Sequence, residues 1–493
     1  MTQPDPVAGA SAGTASAWNV VVYGAGKLVT LVSTLVLARL LAPEAFGLVA
    51  LALLAVNLFD RFKDLGVGPA LVRHPGSLRE VGPTGAVLVL ATSSLLAVSC
   101  FGLAPWISAL LTTGDDTAEV TSIVRALAAW LFISGLAILP DVALRRTLEF
   151  RLRAVPELAG TVVKAAVSIV LALRGWGAWA LVWGQLAGAV LTTSGYAVVS
   201  RSRLRFGFGW DRSVARDLVR FGSSLTTVGV LALVLDNLDY FVIGRRLGAE
   251  DLGYYTMAFR LPELLVVGVC IVVGQVLFAS FSRLQGDRVA LARHYLDSTT
   301  MVSLLTVPLG VGLAALAPEV VDLMLGPQFV PSVPLLQLLG LYSAAYSLSF
   351  FAGEVYKAID RARILIWVSL VRLVVFAPVL WWAAGHSVGR VALAFLLLHL
   401  VFVVVRLVIL RSVLALGLGE QLRAMLPPIL AAALAFGAAS ALRPVVEGLP
   451  SAARLVSLGV AGAVVYLAVL YAVDRRMVRR AYSSARALVG GRS

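Results

Sequence analysis

Long apolar runs dominate this sequence, and most are separated only by short charged or Gly/Pro-containing connections. One membrane-spanning helix needs about 20 mostly apolar residues. Only 14% of the residues are charged, whereas a soluble chain carries about 25%. The sequence therefore predicts an all-α integral membrane protein with about 14 transmembrane helices. The fourteen runs cover residues 17–41, 45–66, 81–111, 119–143, 155–174, 176–199, 216–243, 252–281, 295–317, 332–353, 363–383, 388–410, 422–442 and 454–473.

The Lys and Arg residues of the connections alternate along the chain. The even-numbered connections and the C-terminal tail hold 28 of these residues, and the odd-numbered connections hold 7. Because Lys and Arg concentrate in cytoplasmic loops, we expect a multi-pass protein with both termini in the cytoplasm. These termini are a disordered tail at 1–16 and a basic tail at 474–493. The same alternation explains the net charge of +14 without nucleic acid as a partner.

An internal repeat relates the two halves of the chain. The segment LARLLAPEAFG, from Leu37, aligns with IGRRLGAEDLG, from Ile243, at a constant offset of 206 residues and with four identities in eleven positions. Repeats of this length in membrane proteins are typical of transporters built from two similar bundles. The pattern predicts an N-lobe over 17–200, a C-lobe over 216–411, and two further helices within 422–473.

Six cationic side chains fall inside the apolar runs. Each costs about 3 kcal/mol near a helix centre on insertion scales, so each needs a partner or a watery cavity. Arg125 and Arg406 lie nearer to the ends of their runs, where a long side chain can reach the interface, and for Arg406 we favour that position. The others favour a functional role over a structural ion pair, because acids are scarce at the same depth. The six are Lys27, Arg125, Lys164, Arg260, Arg372 and Arg406.

Arg260 differs from the other five because an acid lies close to it in the sequence. Glu263 is three residues on, and such a pair can neutralise itself on a helix. Pro262 lies between the two and removes a backbone hydrogen bond, so it should bend the helix. A bent helix with a charge at the bend is also a common way to build a transporter site.

Four titratable residues are candidates for H⁺ or Na⁺ coupling: Asp236, Asp239, Glu263 and His399. The two aspartates lie late in the seventh run, near the outer face, where they could bind a cation or pair with Arg245 and Arg246 at the interface, and we favour the pairing. His399 lies in the middle of the twelfth run, where a hydrogen-bonded packing role is the more common one. A cation-rich and acid-poor interior favours an anionic cargo.

Catalytic motifs are absent from the sequence. The segment GAGK, from Gly24, lacks the spacing and the Ser or Thr of a phosphate-binding loop. Nothing in the sequence indicates a metal site or a cofactor site, and the outward connections are too short for a catalytic loop. The sequence therefore predicts a protein that is not an enzyme.

Three segments resemble a known family. They are LARLLAPEAFGLVAL from Leu37, DLGVGPALVR from Asp64 and NLDYFVIGRRLGAEDLGYYTMAFRLPEL from Asn237. On these segments the chain resembles the Wzx-type polysaccharide flippases of the multidrug/oligosaccharidyl-lipid/polysaccharide (MOP) exporter superfamily, and in particular the branch of the colanic acid exporter. The resemblance covers about residues 17–415.

The resemblance implies a fold like that of the MATE transporters, with two pseudo-symmetric six-helix lobes and alternating access. It implies a plasma (inner) membrane location and a polyprenyl-pyrophosphate-linked oligosaccharide as cargo. Membrane lipids and polysaccharide polymerase or assembly proteins are the further partners expected. A pyrophosphate is an anion, so the candidates to bind it are the cations at membrane depth: Lys27, Lys164, Arg260, Arg372 and Arg125.

Three other functions stay open on the sequence. A cation-coupled drug or small-molecule antiporter of the same superfamily would favour acids over bases inside the membrane. A membrane-bound polymerase or ligase should carry a large outward loop. A scaffold of a polysaccharide assembly complex would leave the intramembrane cations without a purpose.

Overall fold

The computed structural model describes residues 24–63, 66–147, 149–202, 209–361 and 363–473, and at 150 and 222–229 it describes the backbone alone. All regular secondary structure in these ranges is helical, which confirms the all-α prediction. The expected tails at 1–16 and 474–493 lie outside the described residues.

The first described helix, α1, covers 24–40. The α-helices that follow are α2 (Pro43–Lys63), α3 (Val67–Arg73), α4 (Leu78–Leu111), α5 (Asp116–Leu136), α6 (Ile138–Arg146), α7 (Phe150–Leu173), α8 (Ala178–Ser200), α9 (Arg212–Asp236), α10 (Leu238–Leu247), α11 (Ala249–Pro262), α12 (Gly268–Arg283), α13 (Arg288–Ala315), α14 (Ala317–Val320), α15 (Ser332–Ala358), α16 (Arg363–Ala384), α17 (Val388–Leu414), α18 (Leu418–Val446) and α19 (Ser451–Val473). Two π-helical turns, Glu263–Val267 and Val321–Leu325, and a 3-10 turn, Pro327–Phe329, complete the set.

Eleven segments of the described chain are long and apolar enough to cross a membrane, from Pro43–Arg73 to Ser451–Val473. Three further long helices, α1, α8 and α9, overlap the runs expected at 17–41, 176–199 and 216–243 but are not among the eleven. A multi-pass membrane protein follows from these segments, and the count of fourteen spans stays a prediction.

The chain forms two compact units, of which the first is Met1–Gly253. In this unit α2 packs against α4 and α5, and α7 packs along α8. Glycines bring α7 and α8 together: a Cβ atom at Gly160 would lie 2.8 Å from the carbonyl oxygen of Gly188, and the reverse distance is the same. Membrane helices approach this closely only where small residues face each other.

The second unit, Tyr254–Ser493, is built around α15. This helix packs against α12, α13 and α17, and α13 in turn packs against α18. Gly310 of α13 and Gly340 of α15 meet in the same reciprocal way, since a Cβ atom on either would lie 2.7 Å from the other's carbonyl oxygen. Small residues therefore set the spacing of the central helices in this unit too.

The compact units divide the chain after Gly253, whereas the lobes expected from the repeat divide between 200 and 216. The reason is local packing: α9 contacts α2, α3 and α4, and α10 contacts α2 and α4, so both belong with the first unit. The assignment of helices to lobes stays a prediction.

The two copies of the repeat fold alike. In the first copy α1 is followed by a break and by α2, and in the second α10 is followed by a break at Gly248 and by α11. The copies also touch each other within the first unit. A Cβ atom at Gly47 would lie 1.7 Å from the carbonyl oxygen of Ala249, and one at Gly253 would lie 1.9 Å from that of Pro43.

Candidate functional site

An aromatic stripe runs along α15 in the second unit. Tyr342, Tyr346 and Phe350 follow one another at intervals of four residues, so they share one face of the helix. The ring centroids of Tyr342 and Tyr346 are 5.9 Å apart, and those of Tyr346 and Phe350 are 5.3 Å apart. Tyr342 is buried, whereas the other two rings are partly exposed. The stripe therefore presents aromatic faces at the edge of the unit's core.

His399 of α17 lies against this stripe and is only 7% exposed. Its ring centroid is 4.4 Å from that of Tyr342, 4.4 Å from that of Phe395 and 5.1 Å from that of Phe376. Nδ1 is 2.9 Å from the carbonyl oxygen of Phe395, which can only accept, so Nδ1 carries the proton. Nε2 is buried and has no hydrogen-bond partner among the described residues.

Two arginines lie beside His399. The guanidinium carbon of Arg372 on α16 is 5.0 Å from the ring centroid of Phe376, and Nη1 of Arg406 on α17 is 3.4 Å from Oγ of Ser349. Both arginines are close enough to interact electrostatically with His399. In the described part of the chain, no carboxylate lies within ion-pair distance of Arg406.

The position of Arg406 differs from the interfacial one expected for it. Its side chain is partly buried and donates a hydrogen bond to Ser349, and its carbonyl oxygen accepts one from the Tyr356 hydroxyl at 3.1 Å. Arg406 lies eight residues before the end of α17, and Arg372 lies nine residues after the start of α16. At 1.5 Å per residue both are therefore about 12–14 Å from helix ends expected on the cytoplasmic side.

Arg260 and Glu263 form the ion pair expected from their spacing. Nη1 of Arg260 is 3.3 Å from Oε2 of Glu263, and their side chains are 39% and 49% exposed. Glu263 begins the π-helical turn that follows Pro262, and the turn closes with a hydrogen bond from the Gly268 N–H to the carbonyl oxygen of Glu263. The charged pair thus sits at an irregularity in the helix, as the proline predicts.

The remaining candidate cations belong to the first unit and lie on its surface. Lys27 of α1 and Lys164 of α7 are exposed. Arg125 of α5 is also exposed, and its guanidinium carbon is 5.5 Å from the ring centroid of Phe101. Because mid-span cations on a lipid-facing surface would be costly, their exposure is compatible with a watery cavity.

The acids at the end of the seventh run lie where α9 passes into α10. Asp236 is exposed, and Asp239 is only 2% exposed. Arg245, one of the two partners considered for them, donates to the carbonyl oxygen of Thr112 at 2.6 Å. A guanidinium at this place stabilises the C-terminal end of α4, where backbone carbonyls lack partners.

Sequence reasoning missed a buried cation in the first unit. Lys63, which the charge count assigned to a connection, is 9% exposed and lies inside the unit. Its Nζ is 2.6 Å from Oδ1 of Asp60, 2.9 Å from Oγ of Ser134 and 5.4 Å from the ring centroid of Trp130. The three-residue spacing of Asp60 and Lys63 was the only signal of this pair, and nothing in the sequence indicated Ser134 or Trp130.

Metal ligands are not grouped in the part of the chain that the structure describes: no three His, Cys, Asp or Glu side chains there could hold a metal ion together. The candidate residues thus provide positive charge, aromatic faces and a hydrogen-bonding imidazole. This combination suits an anionic ligand that carries hydroxyl groups.

Comparison with known proteins relates this chain to proteins of polysaccharide biosynthesis and transport. The model of a family described as "Polysaccharide biosynthesis protein" matches residues 36–334. The chain is 30% identical over 342 residues to the succinoglycan biosynthesis transport protein ExoT of Rhizobium meliloti (strain 1021), covering 69% of this chain and 67% of that one. It is 23% identical over 385 residues to the lipopolysaccharide biosynthesis protein WzxC of Escherichia coli (strain K12), covering 78% and 76%.

Among solved structures, the lipid II flippase MurJ in an inward closed conformation superposes with a TM-score of 0.74, over 94% of this chain and 99% of that one, at 13% identity. An inward-facing multidrug resistance MATE family transporter of the MOP superfamily gives a TM-score of 0.64, over 79% and 94%, at 17% identity. These structures confirm the MOP-type fold expected from the sequence. Because the family model covers more than half of the chain, the protein belongs to the polysaccharide biosynthesis protein family, which confirms the resemblance to the Wzx-type flippases.

Proposed function

We propose that this protein flips a polyprenyl-pyrophosphate-linked oligosaccharide from the cytoplasmic to the outer leaflet of the plasma (inner) membrane for cell-surface polysaccharide biosynthesis. The observation that carries the proposal is the 30% identity to a succinoglycan biosynthesis transport protein over two thirds of both chains. The multi-helix membrane fold and the cations at membrane depth support it. Alternating access is the mechanism that fits this fold.

The pyrophosphate is the fixed anionic part of such a cargo, and cationic side chains must hold it. The candidates are Lys27, Lys164, Arg260, Arg372 and Arg125. Arg260 is held by one half-exposed acid, so an incoming phosphate oxygen could replace that acid. Lys27 and Lys164 are exposed and lie near the middles of their predicted runs, where bound anion and water would offset the cost of burying an ammonium group.

Transport by this protein needs no catalytic step, and we assign it no enzymatic activity and no cofactor. Asp236, Asp239, Glu263 and His399 are our candidates for H⁺ or Na⁺ coupling, with both termini in the cytoplasm. Of these four, the exposed Asp236 and Glu263 are accessible to an ion from solution. The cargo-handling partners that we propose are the polymerase and other polysaccharide assembly proteins.

Depletion of the protein from its cells tests the proposal. Lipid-linked oligosaccharides would be extracted and quantified, their leaflet would be found by accessibility to a membrane-impermeant glycosidase, and surface polysaccharide would be measured in parallel. We expect an inward-oriented lipid-linked oligosaccharide to accumulate while one surface polysaccharide disappears.

No accumulation, together with increased sensitivity to cationic compounds, would refute the flippase and favour the cation-coupled antiporter. The observation that supports the antiporter is the likeness to a MATE family transporter, and this likeness concerns the fold alone.

A further inference from the structure

We propose that the cluster of Arg372, Arg406, His399 and the α15 aromatic stripe in the second unit is a subsite for an acidic sugar of the cargo. The sugar's carboxylate would bind the two arginines, and an adjacent hydroxyl would bind His399. The inference rests on the proposed function and deepens it by naming the class of sugar carried. It also assigns Arg372 to the glycan and leaves the pyrophosphate to the other cations.

The positive charge of the two arginines favours an anionic ligand at this cluster. Arg406 is partly buried, its one described side-chain hydrogen bond is the 3.4 Å contact with the Ser349 hydroxyl, and no described carboxylate lies within ion-pair distance of it. A buried or half-buried guanidinium is costly without a counter-charge, and Arg372 adds a second positive charge nearby. Guanidinium groups bind carboxylates with two parallel hydrogen bonds. An anionic ligand would therefore remove an electrostatic cost that the described residues leave in place.

The His399 ring offers a hydrogen-bond acceptor that suits a hydroxyl group. Since Nδ1 donates to the carbonyl oxygen of Phe395, Nε2 of the neutral ring is an acceptor. That atom is buried without a hydrogen-bond partner among the described residues. The pyrophosphate diester that joins a sugar to its lipid carrier has no hydrogen to donate to it, whereas a sugar hydroxyl does. A uronic acid carries both groups on one ring, a carboxylate and adjacent hydroxyls.

The aromatic stripe supplies the third element that a sugar needs. Tyr346 and Phe350 are partly exposed, their rings are 5.3 Å apart, and Tyr346 lies near Arg406. The C–H face of a pyranose ring is apolar and packs on an aromatic ring through the hydrophobic effect. The cluster thus offers a charge, an acceptor and an apolar face in one place.

Ligand-observed NMR on the purified full chain in detergent tests the subsite. The probes are glucuronate, glucose and inorganic pyrophosphate, followed by ¹H signals for the sugars and ³¹P signals for pyrophosphate. The wild type should bind glucuronate in preference to glucose. Arg406→Gln should weaken glucuronate binding by about tenfold or more, as the loss of a charged hydrogen bond implies, and should leave pyrophosphate binding unchanged.

His399→Phe keeps an aromatic ring of similar size and removes Nε2, so it should weaken glucuronate binding without changing pyrophosphate binding. Arg411→Gln, an exposed arginine on the same helix, is the matched control and should bind as the wild type does. Thermal unfolding of each variant checks its fold, and Arg406→Lys, which keeps the charge, replaces Arg406→Gln if the latter does not fold. The lysine variant should still bind glucuronate, more weakly than the wild type because an ammonium lacks the fork of donors.

Equal binding of glucuronate and glucose by the wild type would overturn the proposal, as would unchanged glucuronate binding in Arg406→Gln or in His399→Phe. Loss of pyrophosphate binding in Arg406→Gln would also overturn it, by showing that the arginines serve the lipid carrier. None of these outcomes bears on flipping itself, which is tested by the accumulation of lipid-linked oligosaccharide in depleted cells.

Discussion

Gly47 packs directly against the carbonyl group of Ala249, which occupies the repeat position equivalent to Pro43. The converse contact is present as well, since Gly253, the equivalent of Gly47, packs against the carbonyl group of Pro43. Equivalent atoms of the two copies thus meet in pairs, as in a two-fold symmetric interface. This geometry explains why both equivalent positions hold glycine, because a Cβ atom at either position would overlap the backbone of the other copy.

Alanine at either glycine should therefore separate the two copies. Gly47→Ala and Gly253→Ala each place a methyl group within 2 Å of a carbonyl oxygen, and overpacking of this kind typically costs about 1–3 kcal/mol. We expect a lower melting temperature in detergent and reduced export of surface polysaccharide. Gly102→Ala is the matched control, since a Cβ atom there meets nothing within 4 Å. Wild-type stability in both test variants would contradict the close approach.

A buried ion pair joins α18 to α14 in the second unit. Nη2 of Arg443 is 3.0 Å from Oε2 of Glu319, whose side chain is 2% exposed. Arg443→Ala would leave a buried carboxylate without its counter-charge, which typically costs about 3–5 kcal/mol. We expect a large fall in melting temperature, measured by intrinsic fluorescence of the purified protein. The double variant Arg443→Ala/Glu319→Gln should recover part of the loss, because the amide is neutral, and no recovery would argue against the charge as the cause.

Asp211 caps the N-terminus of α9, and its stabilisation should depend on pH. Hydrogen bonds from the Ser213 hydroxyl and from the N–H groups of Val214 and Ser213 lower the pKa of its carboxyl group. A lowered pKa stabilises the fold above the unfolded value of about 4, and the stabilisation is lost as the pH falls through the folded value. The difference in unfolding between wild type and Asp211→Ala should be constant above about pH 4 and shrink below it.

The cations assigned to the pyrophosphate can be tested in cells. Lys27→Ala and Arg260→Ala should leave the protein inserted in the membrane, because each removes a charge that is costly to insert, yet both should stop export. Membrane-fraction immunoblots and surface polysaccharide staining measure the two properties. Arg174→Ala removes an exposed charge from a connection that we expect to face outward, and it should export normally. Normal surface polysaccharide in both test variants would refute the assignment.

The fold could be predicted from the sequence because the membrane simplifies the problem. Apolar runs of sufficient length must be helices in lipid, and the runs expected at 363–383 and 388–410 correspond to α16 and α17. The i,i+3 spacing of Arg260 and Glu263 likewise predicted a contact between them, because neighbours on one helix have a fixed geometry. The repeat predicted equivalent breaks, at Ala42 and at Gly248.

The candidate site was less predictable, since its contacts join helices far apart in sequence. Arg406 was expected at the interface from its distance to the end of α17, and only the packing of α15 against α17 reveals that Ser349 holds it inside the unit. Lys63 was counted in a connection because helix ends are read from charge, yet Ser134 and Trp130 of α5 enclose its side chain. The four-residue spacing of the α15 aromatics was visible in the sequence, but not which helices would face it.

The π-helical turn at Glu263–Val267 fixes the angular relation between two stretches of one span. A π turn holds one residue more than an α turn, so everything after Val267 is rotated by about 100° relative to a continuous α-helix. The angle about the helix axis between Arg260, before the turn, and Cys270, after it, therefore differs from the angle in a uniform α-helix. The loss of a single residue from this turn would restore a uniform helix and swing the arginine to another side of the span. The number of residues in this turn therefore determines the direction of the Arg260 charge relative to the rest of the span.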